Sequence, residues 1–174
     1  MNSVKNIKVR LANQEDAKSM LEIQRAVLAE GQFLMTTLDE FNQTVSGQKL
    51  WTQSKLDNER ETILVAEVNN CIVGWLVFQS PKRKRLAHTG SFGMMVAKEY
   101  RGRGIGKLLL KELLNWAEQN PFIEKVKLGV FSTNTPAIFL YKQMGFVEEG
   151  RKINEIKLND YEYIDDVLMY KDVK

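Results

Sequence analysis

Residues 96–107 read Val-Ala-Lys-Glu-Tyr-Arg-Gly-Arg-Gly-Ile-Gly-Lys. Gly102, Gly104 and Gly106 alternate with Arg103 and Ile105, between Arg101 and Lys107. Glycine lets backbone N–H groups approach a ligand with no side chain in the way. An apolar run ends at Val96 and helical periodicity begins near Ile105, so the turn feeds a helix N-terminus. The unpaired donors and positive dipole end of that terminus attract an anion. Phosphate is the most natural one.

Spacing sorts the phosphate ligands. A P-loop needs four residues between its first glycine and Gly-Lys-Ser/Thr. Here Gly102 and Gly106 enclose three residues, and Leu108 follows Lys107 where a Mg²⁺-binding hydroxyl belongs. The dinucleotide fingerprint Gly-x-Gly-x-x-Gly follows a first strand. This turn is Gly-x-Gly-x-Gly and lies far into the chain. A glycine turn with no ligand is the plain alternative. The basic residues flanking it at the head of a strong helix weigh against that.

The elements that must hold this turn follow from periodicity. Ile7 to Leu11 alternates as a short strand. Asn13 caps an acidic first turn, and Ala17, Met20, Leu21 and Leu28 carry a helix that Gly31 ends. Phe33 to Thr37 is an apolar loop. Asp39 is read as the cap of a second helix reaching about Leu56, with Phe41, Val45, Leu50 and Trp51 as its apolar side. Thr62–Val68 and Cys71–Gln79 form a hairpin about Asn69-Asn70, because asparagine tolerates positive φ. Cys71 is read as core filling. Pro81 to Arg85 is a basic loop. Leu86–Val96 is a third long strand, with Gly90 and Gly93 marking a bulge or a close backbone approach. Ile105 to Trp116 is a long helix ended before Pro121. A strand over Lys125–Phe131 and a helix over Asn134–Met144 follow. Phe146–Leu158 and Tyr161–Tyr170 close a second hairpin at Asn159-Asp160. The order is β-α-α-β-β-β-α-β-α-β-β, a single mixed α/β (α+β) domain over residues 1–174.

The bulk numbers narrow the class. A chain of 174 residues suits one domain with a full core. The net charge of +3 does not argue for nucleic acid. The Lys82 to Arg85 run lacks the aromatic interleaving of single-strand binders and reads as a solvated loop. One cysteine and one histidine, His88, leave no internal disulfide and no Cys- or His-cluster metal site. A cytoplasmic setting is expected. Residues 1–5 carry no apolar signal region, and no run is long enough to span a membrane.

Arg101, Gly104 and Gly106 resemble the Arg/Gln-x-x-Gly-x-Gly/Ala acyl-CoA motif of the GNAT superfamily of N-acetyltransferases. About 30 residues on, Asn134, Ala137, Tyr141, Gly145 and Phe146 resemble that family's second segment. The resemblance covers nearly the whole chain. It implies a mostly antiparallel sheet flanked by helices, with acetyl-CoA as donor and no metal. The pyrophosphate would sit on backbone N–H groups of Arg101, Gly102, Arg103, Gly104, Ile105, Gly106 and Lys107. The pantetheine arm would run along Met94, Met95 and Val96, where the central strand splays from the next. The oxyanion donor would be a backbone N–H near Met95 or Val96.

Acetyl transfer to an amine needs a neutral amine, a stabilised oxyanion and a tolerated thiolate. Direct attack in a ternary complex is the family's usual route, so no nucleophilic residue is required. By resemblance Tyr141 is the general acid toward the CoA sulfur, and Asn134 touches the CoA arm or a water. Several members carry a glutamate base where this chain has Gly90. His88 then stands as the catalytic candidate, because positions 88 and 90 of one strand share a face and imidazole relays protons near neutral pH. Water fed by Ser91 or a carbonyl is the alternative. Glu30, Phe33 and Met35 are substrate-pocket candidates by position.

The layout looks like bacterial members acting on free amino acids or small amines, with protein N-termini or lysines second, by analogy. A CoA-binding sensor without turnover is the reading of another class. Neither nucleic acid nor membrane is an expected partner. The family often forms homodimers, and the terminal hairpin would supply an edge.

Overall fold

The computed structural model describes residues 6–174; residues 1–5, which carry the expectation of no signal region, lie outside them. Seven strands form one sheet in the order β1-β2-β3-β4-β5-β7-β6. They are β1 (Ile7–Leu11), β2 (Thr62–Val68), β3 (Cys71–Gln79), β4 (Thr89–Val96), β5 (Lys125–Phe131), β6 (Val147–Asn159) and β7 (Glu162–Asp172). The helices are α1 (Ala17–Glu30), α2 (Val45–Leu56), α3 (Ile105–Gln119) and α4 (Thr135–Gln143). Element order along the chain is the expected one, and all strand pairs but β4–β5 are antiparallel. Among the described residues no helix is long and apolar enough to cross a membrane.

Local chemistry sets most boundaries. Asn13 accepts from Glu15 N–H while the Asp16 carboxylate accepts from Asn13 N–H, a reciprocal cap ahead of α1. Gly31 ends that helix at φ 64°. Asn69 and Asn70 turn the β2–β3 hairpin at φ 50° and 64°. Asn134 caps α4, Pro136 lies in its first turn, and Gly145 follows at φ 87°.

The sheet has two covered faces. On one, Leu109, Leu110 and Leu113 of α3 pack against Phe78, Phe92, Val126 and Leu128. Each such leucine contributes about 1.5–3 kcal/mol relative to exposure. On the other, Met20 and Ile23 of α1 pack against Ile63, Val65, Trp75 and Val77.

Four expectations are corrected. Thr44, not Asp39, caps α2 by accepting from Gly47 N–H, while residues 37–40 form their own turn with Glu40 bonded to Thr37. The apolar side of α2 is also rotated. Trp51 meets Trp75 edge-on at 6.1 Å, which turns Gln48 and Thr52 inward and leaves Leu50 74% exposed. Cys71 is exposed, since it leaves the hairpin turn at the sheet's end. The strand expected from Leu86 begins only at Thr89, because residues 84–86 wind into a helical turn. In addition, the second hairpin turns one residue later than expected, and β7 inserts beside β5, leaving β6 as the edge.

Candidate functional site

β4 and β5 part company. They pair in parallel only over Thr89–Ser91 against Lys125–Lys127, although β4 runs on to Val96 and β5 to Phe131. Each is held from its far side, β4 by β3 and β5 by β7. A wedge therefore opens in the middle of the sheet. Ala97 N–H donates to Val73 O, which fixes the phase of the β3–β4 ladder. By alternation Ser91, Gly93 and Met95 turn their N–H and C=O groups to β3, while Phe92, Met94 and Val96 turn theirs into the wedge. Arg101 Nε donating to Val96 O at 2.9 Å agrees with that phase. Met95 therefore offers the wedge no backbone donor, and Val96 N–H does. The β3–β4 pairing is unshifted, so of the two readings of Gly90 and Gly93 the bulge is absent.

The glycine turn lies beyond the wedge's open end. Gly102 and Gly104 sit at φ 72° and 82°, which an L side chain rarely adopts. No side chain caps α3, and Leu108 N–H is the first to close on Gly104 O. The N–H groups of Gly102, Arg103, Gly104, Ile105, Gly106 and Lys107 have no backbone acceptor among the described residues. Arg101 N–H is already spent on Lys98 O. Orphan donors at an uncapped helix head fit a pyrophosphate. Arg103 stacks over Tyr100 at 5.5 Å, and Lys107 is exposed, so both charges stand beside the donors. The Arg101 side chain points elsewhere. It grips Glu30 with two hydrogen bonds of 2.7 Å each.

Tyr141 stands at the wedge's root on the α3/α4 face. Its ring meets Phe92, the first β4 residue past the paired stretch, at 5.6 Å and Phe146 at 6.1 Å. Its hydroxyl bonds to no described residue yet is not sealed from solvent. Burial pushes its pKa up to about 12. The Asn134 side-chain oxygen accepts from Ala137 N–H, so it caps α4 and leaves its amide nitrogen free for a ligand.

Across the sheet, a cavity of about 170 Å³ lies between the α1–α2 loop, Phe131 of β5 and residues 156–158 of β6. Met35 lines it, with Val27, Leu34 and Leu38. Phe33 does not, and neither does Glu30, whose carboxyl the hydrogen-bonded Arg101 guanidinium holds below its ordinary value.

His88 lies away from the open end of the wedge. It is an exposed turn residue before β4, and its carbonyl accepts from Glu124 and Lys125 N–H. That is the closed end of the wedge, opposite to Val96. Gly90 is buried under the Phe78 ring, where an added Cβ would lie 2.1 Å from Phe78 Cζ. This chain has no room for a side chain at that position.

Sequence reasoning missed the floor on the cavity side. Gly93 of β4 faces open space, and Gly129 of β5 lies under the carboxylate of Asp166 from β7. A glycine inside a strand is the signal that could have raised Gly129. Nothing local marks Asp166.

The description "Acetyltransferase (GNAT) family" belongs to the family model that matches residues 30–146. The L-amino acid N-acetyltransferase AaaT of Escherichia coli (strain K12) is 30% identical over 116 residues, covering 67% of this chain and 71% of that protein. A GNAT-family acetyltransferase from Streptococcus pneumoniae matches with a TM-score of 0.91 at 27% identity, over 96% of this chain and 99% of that one. The fold is shared with a phosphinothricin acetyltransferase from Sinorhizobium meliloti in complex with AcCoA, at TM-score 0.84 and 19% identity over 97% and 89% of the two chains.

Proposed function

The chain belongs to the GNAT acetyltransferase family and takes its acyl group from acetyl-CoA, and on that premise we propose that its acceptor is a small primary amine, a free amino acid first. The observation that carries this reading is the cavity of about 170 Å³ beside the wedge. Drug-sized pockets run to about 300–1,000 Å³, so this one suits a single small side chain. Its lining is mixed, with apolar Val27, Leu34, Met35, Phe131 and Ile156 beside polar Gln32, Thr36 and Thr37, and Lys157 as the one charge. The amino-acid acetyltransferase named above supports the same class of acceptor. A cytoplasmic setting completes the reading, supported by a composition with a single cysteine.

Bound acetyl-CoA supplies an acyl group activated as a thioester. The N–H groups of residues 102–107 and the α3 dipole bind and orient its phosphates. Met94 orients the arm through its wedge-facing N–H and C=O, aided by the Asn134 amide nitrogen. Val96 N–H is the donor for the carbonyl oxygen, in reach of developing negative charge. Tyr141 stays protonated across the neutral range and holds its proton where the sulfur departs. No side chain is needed as nucleophile.

Thiol release from acetyl-CoA is the test, run over amino acids, polyamines, aminoglycosides and N-terminal peptides. Turnover with an amino acid or another small amine is expected. Turnover on peptides alone moves the acceptor to proteins. CoA binding with no turnover on any acceptor makes the chain a sensor.

A further inference from the structure

We propose that Asp166 is the acceptor-side carboxylate: it seats the acceptor's ammonium and takes the proton that must leave before the nitrogen can attack. The proposal rests on the acetyltransferase reading above and supplies the group that Gly90 cannot.

Asp166 lies on β7 directly opposite Phe131 of β5. Phe131 also lines the acceptor cavity, which places Asp166 one strand over from its wall. The side chain is 9% exposed, and no described residue donates a hydrogen bond to either oxygen. A carboxylate so nearly buried normally gathers donors, because desolvation of the charge is costly. Here the contact is loose. Lys152 of β6 brings its ammonium to 3.7 Å from Oδ2. Both oxygens lie over β5, Oδ1 2.8 Å and Oδ2 3.4 Å from where a Gly129 Cβ would stand. Glycine at 129 is therefore what lets the carboxylate reach across the strand.

That reach leads to the wedge. Ser91 pairs with Lys127, so two residues further on Gly93 and Gly129 stand at the same level on the same face. Gly93 has nothing within 4 Å of its would-be Cβ. The two glycines leave a floor without side chains, with the Asp166 carboxylate over its β5 side. Lys125 and Lys127 on β5, Asp172 on β7 and Lys152 on β6 are charged residues on the same face, and Lys157 lines the cavity. The oxygens are not sealed, so the carboxylate is open to an ammonium seated beside Phe131. The step balances simply. One N–H bond of –NH₃⁺ breaks and its electron pair stays on nitrogen as the lone pair. The proton bonds to Oδ1 and then passes to solvent.

The experiment has two readouts. In ¹³C-aspartate-labelled chain without acetyl-CoA, the Asp166 carboxyl carbon is assigned by its loss in Asp166→Asn. L-leucine and n-butylamine are expected to shift it, and 4-methylpentanoate, which lacks the amine, is not. In turnover, Asp166→Asn is expected to lower kcat/KM for the acceptor by roughly 10²–10⁴-fold. KM for acetyl-CoA should stay within about twofold. Gly129→Ala keeps the charge but pushes the carboxylate off β5, and should lower the same ratio. An unmoved carboxyl carbon, or an Asn variant within about threefold of the parent, overturns the proposal. A chain that turns over no amine while the carbon still moves sinks the acetyltransferase reading and leaves the ammonium seat standing.

Discussion

The guanidinium of Arg101 closes on the carboxylate of Glu30 through two hydrogen bonds of 2.7 Å each, and its Nε donates to Val96 O. One side chain thus ties the end of α1, the open end of β4 and the head of the glycine turn. The proposed acceptor cavity takes Val27, Leu28 and Gly31 from either side of Glu30.

Breaking that tie should loosen both halves of the site. Glu30→Gln is expected to raise KM for acetyl-CoA and for the acceptor more than it lowers kcat. A double-mutant cycle with Arg101→Lys should give a coupling of about 0.5–3 kcal/mol in stability. The pH dependence has a definite sign. Arg101 depresses the folded carboxyl below its unfolded value, which is about 4.3 for a glutamate. The pair's contribution is therefore full above the unfolded value and is lost as pH falls through the folded one. Urea midpoints from pH 7 to pH 3 should fall less steeply in Glu30→Gln than in the parent. Parallel slopes would mean the pair contributes nothing.

Tyr141→Phe keeps the ring against Phe92 and Phe146 and removes only the hydroxyl. Thermal stability should hold, and kcat should drop by roughly 10²-fold or more, as for a lost acid. Acetyl-CoA affinity should barely change. Because burial holds the phenol near 12, any basic limb seen below pH 10 belongs to another group and should survive in the Phe variant. Stopped-flow turnover from pH 6 to pH 10 checks both statements.

Restoring a side chain at Gly90 should damage the fold rather than help catalysis. The Phe78 ring that covers Gly90 is itself fully buried and meets Trp116 edge-on at 5.3 Å, so it has nowhere to move. Gly90→Ala should cost about 1–3 kcal/mol by overpacking, and Gly90→Glu more, without raising kcat. Urea unfolding of Gly90→Ala with and without Phe78→Leu isolates the cause. Relief by the second substitution is expected.

The local part of this structure was legible, and the part set by register was not. Asn69-Asn70, Gly31, Asn134 and the Gly102–Gly106 turn announce themselves, because positive φ and orphan N–H groups restrict residue types on the spot. The wedge could be anticipated from resemblance, though nothing between Thr89 and Val96 encodes where β5 departs. His88 shows the limit of period-2 reasoning. Alternation places it on the face of Gly90 only if the strand begins early, and the helical turn at Lys84–Leu86 prevents that. α2 fails for a similar reason: its inward face is chosen by Trp51 meeting Trp75, a contact across the fold. Asp166 and Gly129 meet only because β7 slots between β5 and β6.

The acceptor cavity offers the last test. Met35 borders it from the α1–α2 loop and is 63% exposed, so its side chain is a rim rather than a core element. Replacing it should change binding with little effect on stability, within about 0.5 kcal/mol for a surface site. Met35→Trp adds bulk over a cavity of about 170 Å³ and should exclude the largest acceptor side chains first. The expected pattern across amino acids graded from alanine to phenylalanine is a kcat/KM that falls most for phenylalanine and least for alanine. KM for acetyl-CoA should hold, since the glycine turn lies on the other side of β4. A uniform loss across the series would mean that the side chain of the acceptor does not enter this cavity, and the acceptor assignment would have to move elsewhere.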